Sequence, residues 1–142
     1  MQYDAPYKIN YDQLPEEQAL AHDRAHKDRN EYNVTVSVYS NGMIERIVYH
    51  NKEDQRHRKD GPALVEWFED GSLATVSYIV DSLLHRDPID GPAMVYYNKD
   101  GTISFEKNFW RGKEEWEKDK WIGYPPPAPD NYDSNGLGRI FR

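Results

Sequence analysis

The phrase HRKDGPALVEWFEDGS at 57–72 comes back 28 to 30 residues later as HRDPIDGPAMVYYNKDGT at 85–102. A chain that repeats itself at such a period is constrained to stack copies of one small unit, each burying a face that it cannot bury alone. Gly42, Gly71 and Gly101 anchor the alignment, with SNG, EDG and KDG in equivalent places at spacings of 29 and 30. Each glycine lies between two runs of strand-like residues, so each unit reads as an antiparallel hairpin. Six strands are expected, at about 33–39 and 43–49, 63–68 and 72–79, and 93–98 and 102–110. The fold class is then mainly all-β: one antiparallel meander sheet of about six strands built from three hairpin repeats of ~29 residues.

Alternation sets the faces. Val34, Val36 and Val38 share one face; Ala63, Val65 and Trp67, then Ala93, Val95 and Tyr97, stand in the same places. The opposite face mixes polar and aromatic residues, so the first set is the core face. Asp60-Gly61-Pro62 and Asp90-Gly91-Pro92 each open a first strand, where proline's missing donor is tolerated and glycine lets the chain turn sharply. The aspartates are expected to cap these turns through backbone hydrogen bonds. The copy beginning at Glu31 lacks Asp-Gly-Pro, as a terminal cap would.

Three zones follow: an N-terminal arm and helix at 1–30, the repeat domain at 31–121, and a Pro-rich tail at 122–142. The helix is expected within 14–30, with Pro15 in its first turn and a thin apolar face of Leu14, Ala21 and Ala25, Leu20 lying to one side. Pro125, Pro126, Pro127 and Pro129 favour a polyproline II rod, read either as a flexible tail or as an extended arm docking through Tyr124, Tyr132 and Phe141.

Charge narrows the partners. Net charge is −7, distributed as −2, −5 and 0 over the three zones, with no basic stripe. Nucleic acid and anionic membrane are therefore poor partners. Mimicry of DNA is disfavoured by 12 basic residues interspersed through the central zone. With no cysteine, thiolate metal sites, disulfides and thiol nucleophiles are excluded together. No apolar run reaches the length of a membrane span and no signal-peptide core opens the sequence, so a cytoplasmic location is expected.

Candidate chemistry is sparse. His22 and His26 stand four apart on the helix, a metal-compatible spacing without a third ligand marked. His57-Arg58 and His85-Arg86 recur ahead of Asp60 and Asp90, which admits a His–Asp or Arg–Asp contact in each copy. A repeat rarely supplies two active sites, and no nucleophile accompanies either pair, so structural roles are expected for both. Adjacent carboxylates such as Glu69/Asp70 point to opposite faces of a strand and do not converge. No cofactor, no metal and no catalytic residue is expected. Aromatics are plentiful instead, with 11 Tyr, 4 Trp and 4 Phe against a mean hydropathy of −0.99. One sheet with a single weak helix cannot cover them all, so some should remain as a contact surface. The expected partner-binding residues are Phe68, Tyr96, Trp110, Trp116, Trp121, Tyr124, Tyr132 and Phe141.

HRKDGPA at 57–63 and HRDPIDGPA at 85–93, each followed by a strand and a glycine turn, resemble a repeat of bacteriophage and bacterial proteins whose pattern is roughly His-Arg-x-x-Asp-Gly-Pro-Ala. It is similar to MORN-type repeats and to the MORN-like antitoxin family, over about residues 31–116. Two departures stand out: Val80-Asp81 replaces the late Asn-Gly that Arg111-Gly112 resembles, and the first copy lacks the signature. The resemblance implies a curved sheet of stacked hairpins serving as an interaction scaffold, often in phage accessory proteins, and so a virion as a second possible location. The expectation is thus a non-catalytic accessory or structural protein that binds another protein. An anti-defence or antitoxin-type inhibitor of one host protein is the first alternative, and a small hydrolase or metal enzyme the second.

Overall fold

The computed structural model describes residues 9 and 11–114. A 3-10 turn at Tyr11–Gln13 leads into helix α1, Glu16–Asp28. Ten strands follow: β1 Asn33–Val38, β2 Ile44–His50, β3 Leu64–Trp67, β4 Leu73–Ser77, β5 Ile79–Val80, β6 Leu83–Leu84, β7 Met94–Tyr97, β8 Ile103–Lys107, β9 Phe109–Trp110 and β10 Lys113–Glu114. Six of them form one antiparallel sheet in the order β1-β2-β3-β4-β7-β8, and the other four form two short ribbons, β5-β6 and β9-β10. The fold is mainly β with one short helix, as the alternation implied.

Three hairpin turns share one construction. The amides of Gly42, Gly71 and Gly101 donate to the carbonyls of Tyr39, Phe68 and Asn98 at 2.9, 2.9 and 3.0 Å. The side-chain oxygens of Asn41, Asp70 and Asp100 accept the amides of Met43, Ser72 and Thr102, each at 2.9 Å. The glycines sit at φ 87, 93 and 92°, where a Cβ would be strained. The register slips at the same place in each hairpin, after Ser37, Glu66 and Tyr96. These bulges bend and twist the sheet.

The expected long second strands at 72–79 and 102–110 are each broken. Beyond Ser77 and Lys107 the chain leaves the sheet and folds back as β5-β6 and β9-β10. Asp81 and Ser82 have φ 49 and 72°, and Arg111 and Gly112 have φ 52 and 81°. Two successive left-handed residues make the tight turn whose twist matches a hairpin. The counterpart of Arg111-Gly112 is therefore Asp81-Ser82 and not Val80-Asp81. The alternation continued through Tyr78 and concealed the break.

Helix α1 lies on the face of β1 and β2 that carries Val34, Val36, Val38, Ile44 and Ile47, all buried. Ala63, Trp67, Ala93 and Val95 are buried as the alternation required. The inward stripe of α1 is not the thin apolar face expected from the sequence. It consists of Gln18, His22, Ala25 and Asp28, with Leu14 and Ala21 packed at the margin and Leu20 exposed. The spacing puts all four on one side of the helix. Gln18 acts there as a substitute strand: its Oε1 accepts the Ile44 amide at 3.0 Å and its Nε2 donates to the Ile44 carbonyl at 3.3 Å. Gln18→Ala should leave both buried main-chain groups without these bonds and cost about 2 kcal/mol. Urea denaturation would register this, and a loss below about 0.5 kcal/mol would reduce Gln18 to a packing residue.

Candidate functional site

The duplicated signature resolves into a structural joint. Nδ1 of His57 accepts the amide of Asp81 at 3.0 Å, and Nδ1 of His85 accepts the amide of Arg111 at 3.0 Å. Each ring thus holds the two-residue turn of the ribbon that follows it. The backbone supports the same docking: His57 and His85 donate to the carbonyls of Tyr49 and Tyr78 at 2.9 and 3.0 Å. The amides of Ser82 and Gly112 donate to the carbonyls of Arg56 and Leu84 at 2.9 and 2.8 Å. A nitrogen that receives an N–H has its lone pair engaged and is not available as a general base. His57 Nδ1 also lies 3.1 Å from the Asp81 carboxylate. Burial lowers the His57 pKa against the opposing pull of Asp81, so the neutral acceptor describes this contact better than an ion pair does. His85 is fully buried, its ring 4.2 Å from that of Trp110, and burial with help from the Arg111 charge pushes its pKa down to about 3.

The arginines of the signature cover its glycines. The Arg58 guanidinium stacks 4.2 Å from the Tyr49 ring and donates to the Pro62 carbonyl at 3.2 Å. Arg86 repeats both contacts, at 3.8 Å over Tyr78 and 3.1 Å to the Pro92 carbonyl. A Cβ on Gly61 or Gly91 would come within 2.7 Å of the arginine above it. A side chain at either position would have to displace the guanidinium above it, and at Gly91 the φ of 133° independently favours glycine. Asp60 pairs with Arg58 at 3.1 Å and with Arg24 of α1 at 3.0 Å, so its carboxylate binds arginine side chains where a backbone cap of the turn was expected. Near Asp90, the buried Asp87 carboxylate accepts the Ile89 amide at 3.0 Å and takes the local turn-capping place, while Asp90 donates its own amide to the Asp87 carbonyl. Gly71 lies under Pro15 of the helix entry, whereas Gly101 faces open space.

Among the described residues, no group of three or more His, Asp or Glu side chains could hold a metal ion. His22 is buried and its Nδ1 is hydrogen-bonded to the Tyr11 hydroxyl, whereas His26 is exposed. A polar pocket of about 340 Å³ opens beside β1 between Arg29, Tyr32, His50 and Asp54. Its opposite charges, without a nucleophile–base pair, suggest no reaction class. No helix among the described residues is long and apolar enough to cross a membrane.

Tyr11, Leu20, Leu83 and Ile89 are exposed at separate places, and three further exposed apolar residues lie together at the far end of the sheet. Tyr96 on β7 is 45% exposed, and Phe105 and Ile103 on β8 are 41% and 53% exposed. Tyr96 and Phe105 pair directly across the strands with ring centroids 5.9 Å apart. Phe68 is half-buried, with the Lys99 ammonium 5.7 Å from its ring centroid. Trp110, expected on the contact surface, is buried against His85, because the break after Lys107 turns β9 back onto the preceding ribbon. Trp116, Trp121, Tyr124, Tyr132 and Phe141 lie outside the described residues, as does the Pro-rich tail. Phe105 and Ile103 were missed as contact residues. The signal was available in the position of β8 in the last of the three hairpins, which is the edge of the sheet among the described residues. No family model, no curated protein and no solved structure matches the chain.

Proposed function

We propose that this chain is a non-catalytic interaction protein that binds another protein through the aromatic surface of its last hairpin. One observation carries the reading. Tyr96 and Phe105 contact each other with tilted rings and remain substantially exposed, while Val34, Val36, Val38, Ile44 and Ile47 of β1 and β2 are buried on the face that α1 covers. Exposed aromatic pairs with polar surroundings are characteristic of contact surfaces, since they bring large area at little entropic cost. Support for a scaffold comes from the recurring turns and the two His–Arg joints, which we read as three stacked hairpin units of the MORN-like type. A phage-encoded accessory or structural component is the role that this resemblance favours, with the terminal arms adding contacts to those of the sheet.

The test compares affinity capture from the native host by the unaltered chain and by a Tyr96→Ser, Phe105→Ser double variant. Both side chains are substantially exposed, so the variant should melt within a few degrees of the parent. A specific partner should be captured by the parent and lost by the variant, by at least tenfold if the pair is an interface hot spot of about 1.4 kcal/mol or more. Equal recovery of the partner by both proteins would overturn the assignment of this surface.

A further inference from the structure

We propose that the outer edge of β8 receives an extended strand of the partner, one in which a basic residue stands directly before an aromatic residue. This rests on the interaction reading above and specifies the partner's chemistry at that site. The inner strands show what such an edge does. Arg46, Ile47 and Val48 of β2 pair with β3, and Thr75, Val76 and Ser77 of β4 pair with β7. Just beyond, the amides of Tyr49 and Tyr78 donate to the carbonyls of Ala63 and Ala93 at 2.8 and 2.7 Å. Phe105, Glu106 and Lys107 of β8 occupy the corresponding positions, followed by Asn108, and among the described residues the sheet ends there. The edge of β8 therefore repeats a backbone geometry that accepts an antiparallel strand twice elsewhere in the fold.

Side chains decide which strand fits. At the central position, where the inner strands carry Ile47 and Val76, β8 carries the exposed Glu106. A cation directly opposite a carboxylate favours an antiparallel pair, and an anion there disfavours it by a similar amount. A second copy paired symmetrically about this position would set Glu106 against itself, so the edge is unsuited to that dimer. In an antiparallel strand, the residue after the one facing Glu106 faces Phe105. An aromatic residue there would extend the Tyr96–Phe105 row by one ring.

The experiment titrates a synthetic peptide, Thr-Val-Thr-Lys-Trp-Thr-Val, and its counterpart with Glu in place of Lys into the full isotope-labelled chain. The Lys peptide should shift the amides of residues 104–108, slow exchange at the Asn108 amide and bind about fivefold more tightly than the Glu peptide. Glu106→Lys should reverse the preference. Equal affinities, shifts on other strands, or no binding at millimolar peptide would overturn the proposal. The chain's own Lys120-Trp121 has the same residue order. Binding that appears only in a Lys120→Glu, Trp121→Ser variant would assign the edge to the chain itself and overturn a partner in trans. Failure here, with the native partner still lost by the Tyr96 and Phe105 variant, would remove strand pairing and leave the interaction reading intact.

Discussion

Acidification from pH 7.5 to 5 should destabilise the fold by about 2 kcal/mol through His85 alone, mostly before the carboxylates begin to titrate. The imidazole is buried, accepts the Arg111 amide and has its pKa lowered to about 3, chiefly by burial and secondarily by the Arg111 charge. The unfolded chain binds a proton near pH 6.5, whereas the folded chain resists until about pH 3. Protonation therefore favours unfolding between those values. The stabilisation is fully present above pH 6.5 and is lost progressively as pH falls, the loss reaching about 4–5 kcal/mol by pH 3. Burial lowers the His57 and His22 pKa values as well, adding to the same trend. Urea denaturation at a series of pH values measures the slope. His85→Asn retains a neutral acceptor without a proton site, so it should start less stable but lose about 2 kcal/mol less between pH 7.5 and 5. A parent whose midpoint is the same at both pH values would rule out the neutral-acceptor joint.

The second large effect is expected at Asp28, where the helix is fastened to the repeat. Its carboxylate, at the negative end of α1, would be unfavourably placed on its own. Arg24 at 2.9 Å, the Tyr49 hydroxyl at 2.8 Å and Arg58 at 3.3 Å compensate for that position. Arg58 is itself buried and also bonds Asp60 and the Pro62 carbonyl. Removing one member of a buried charge network leaves the others uncompensated, which is costlier than exchanging the whole network for apolar groups. Asp28→Ala should therefore cost about 3 kcal/mol, with Arg58 left facing a partly vacated site. In a double-mutant cycle, Asp28→Ala and Arg58→Met together should cost less than the sum of the two separately, by at least 1 kcal/mol. Additive losses would mean that the two residues stabilise the fold independently, and the joint between helix and sheet would have to lie elsewhere.

Much of the architecture was legible in the residues. Alternation at Val34, Val36 and Val38, and at Ala63, Val65 and Trp67, identified the core face because a strand sends neighbouring side chains to opposite sides. Gly42, Gly71 and Gly101 marked their turns because each adopts a backbone conformation that a side chain would strain. The polar inward stripe of α1 was not legible. Gln18 and Asp28 look like surface residues until Ile44, Tyr49 and Arg58 are brought against them from distant parts of the chain.

The candidate site divides along the same line. Tyr96 could be assigned to a mixed, partly exposed face from periodicity alone, but Trp110 could not be assigned to the interior. Its burial depends on the chain leaving the sheet after Lys107, and nothing local distinguishes that break from a continuing strand. By itself the sequence determined the hairpin period, the turn positions and the core face, all of which follow from φ preferences and the two-residue strand repeat. The tertiary structure alone decided that the recurring histidines hold the following ribbons, that the arginines lie against the glycines beneath them, and that β8 ends the described sheet with Phe105 exposed. Those properties arise from contacts between residues far apart in the chain, and local preferences carry no record of such contacts.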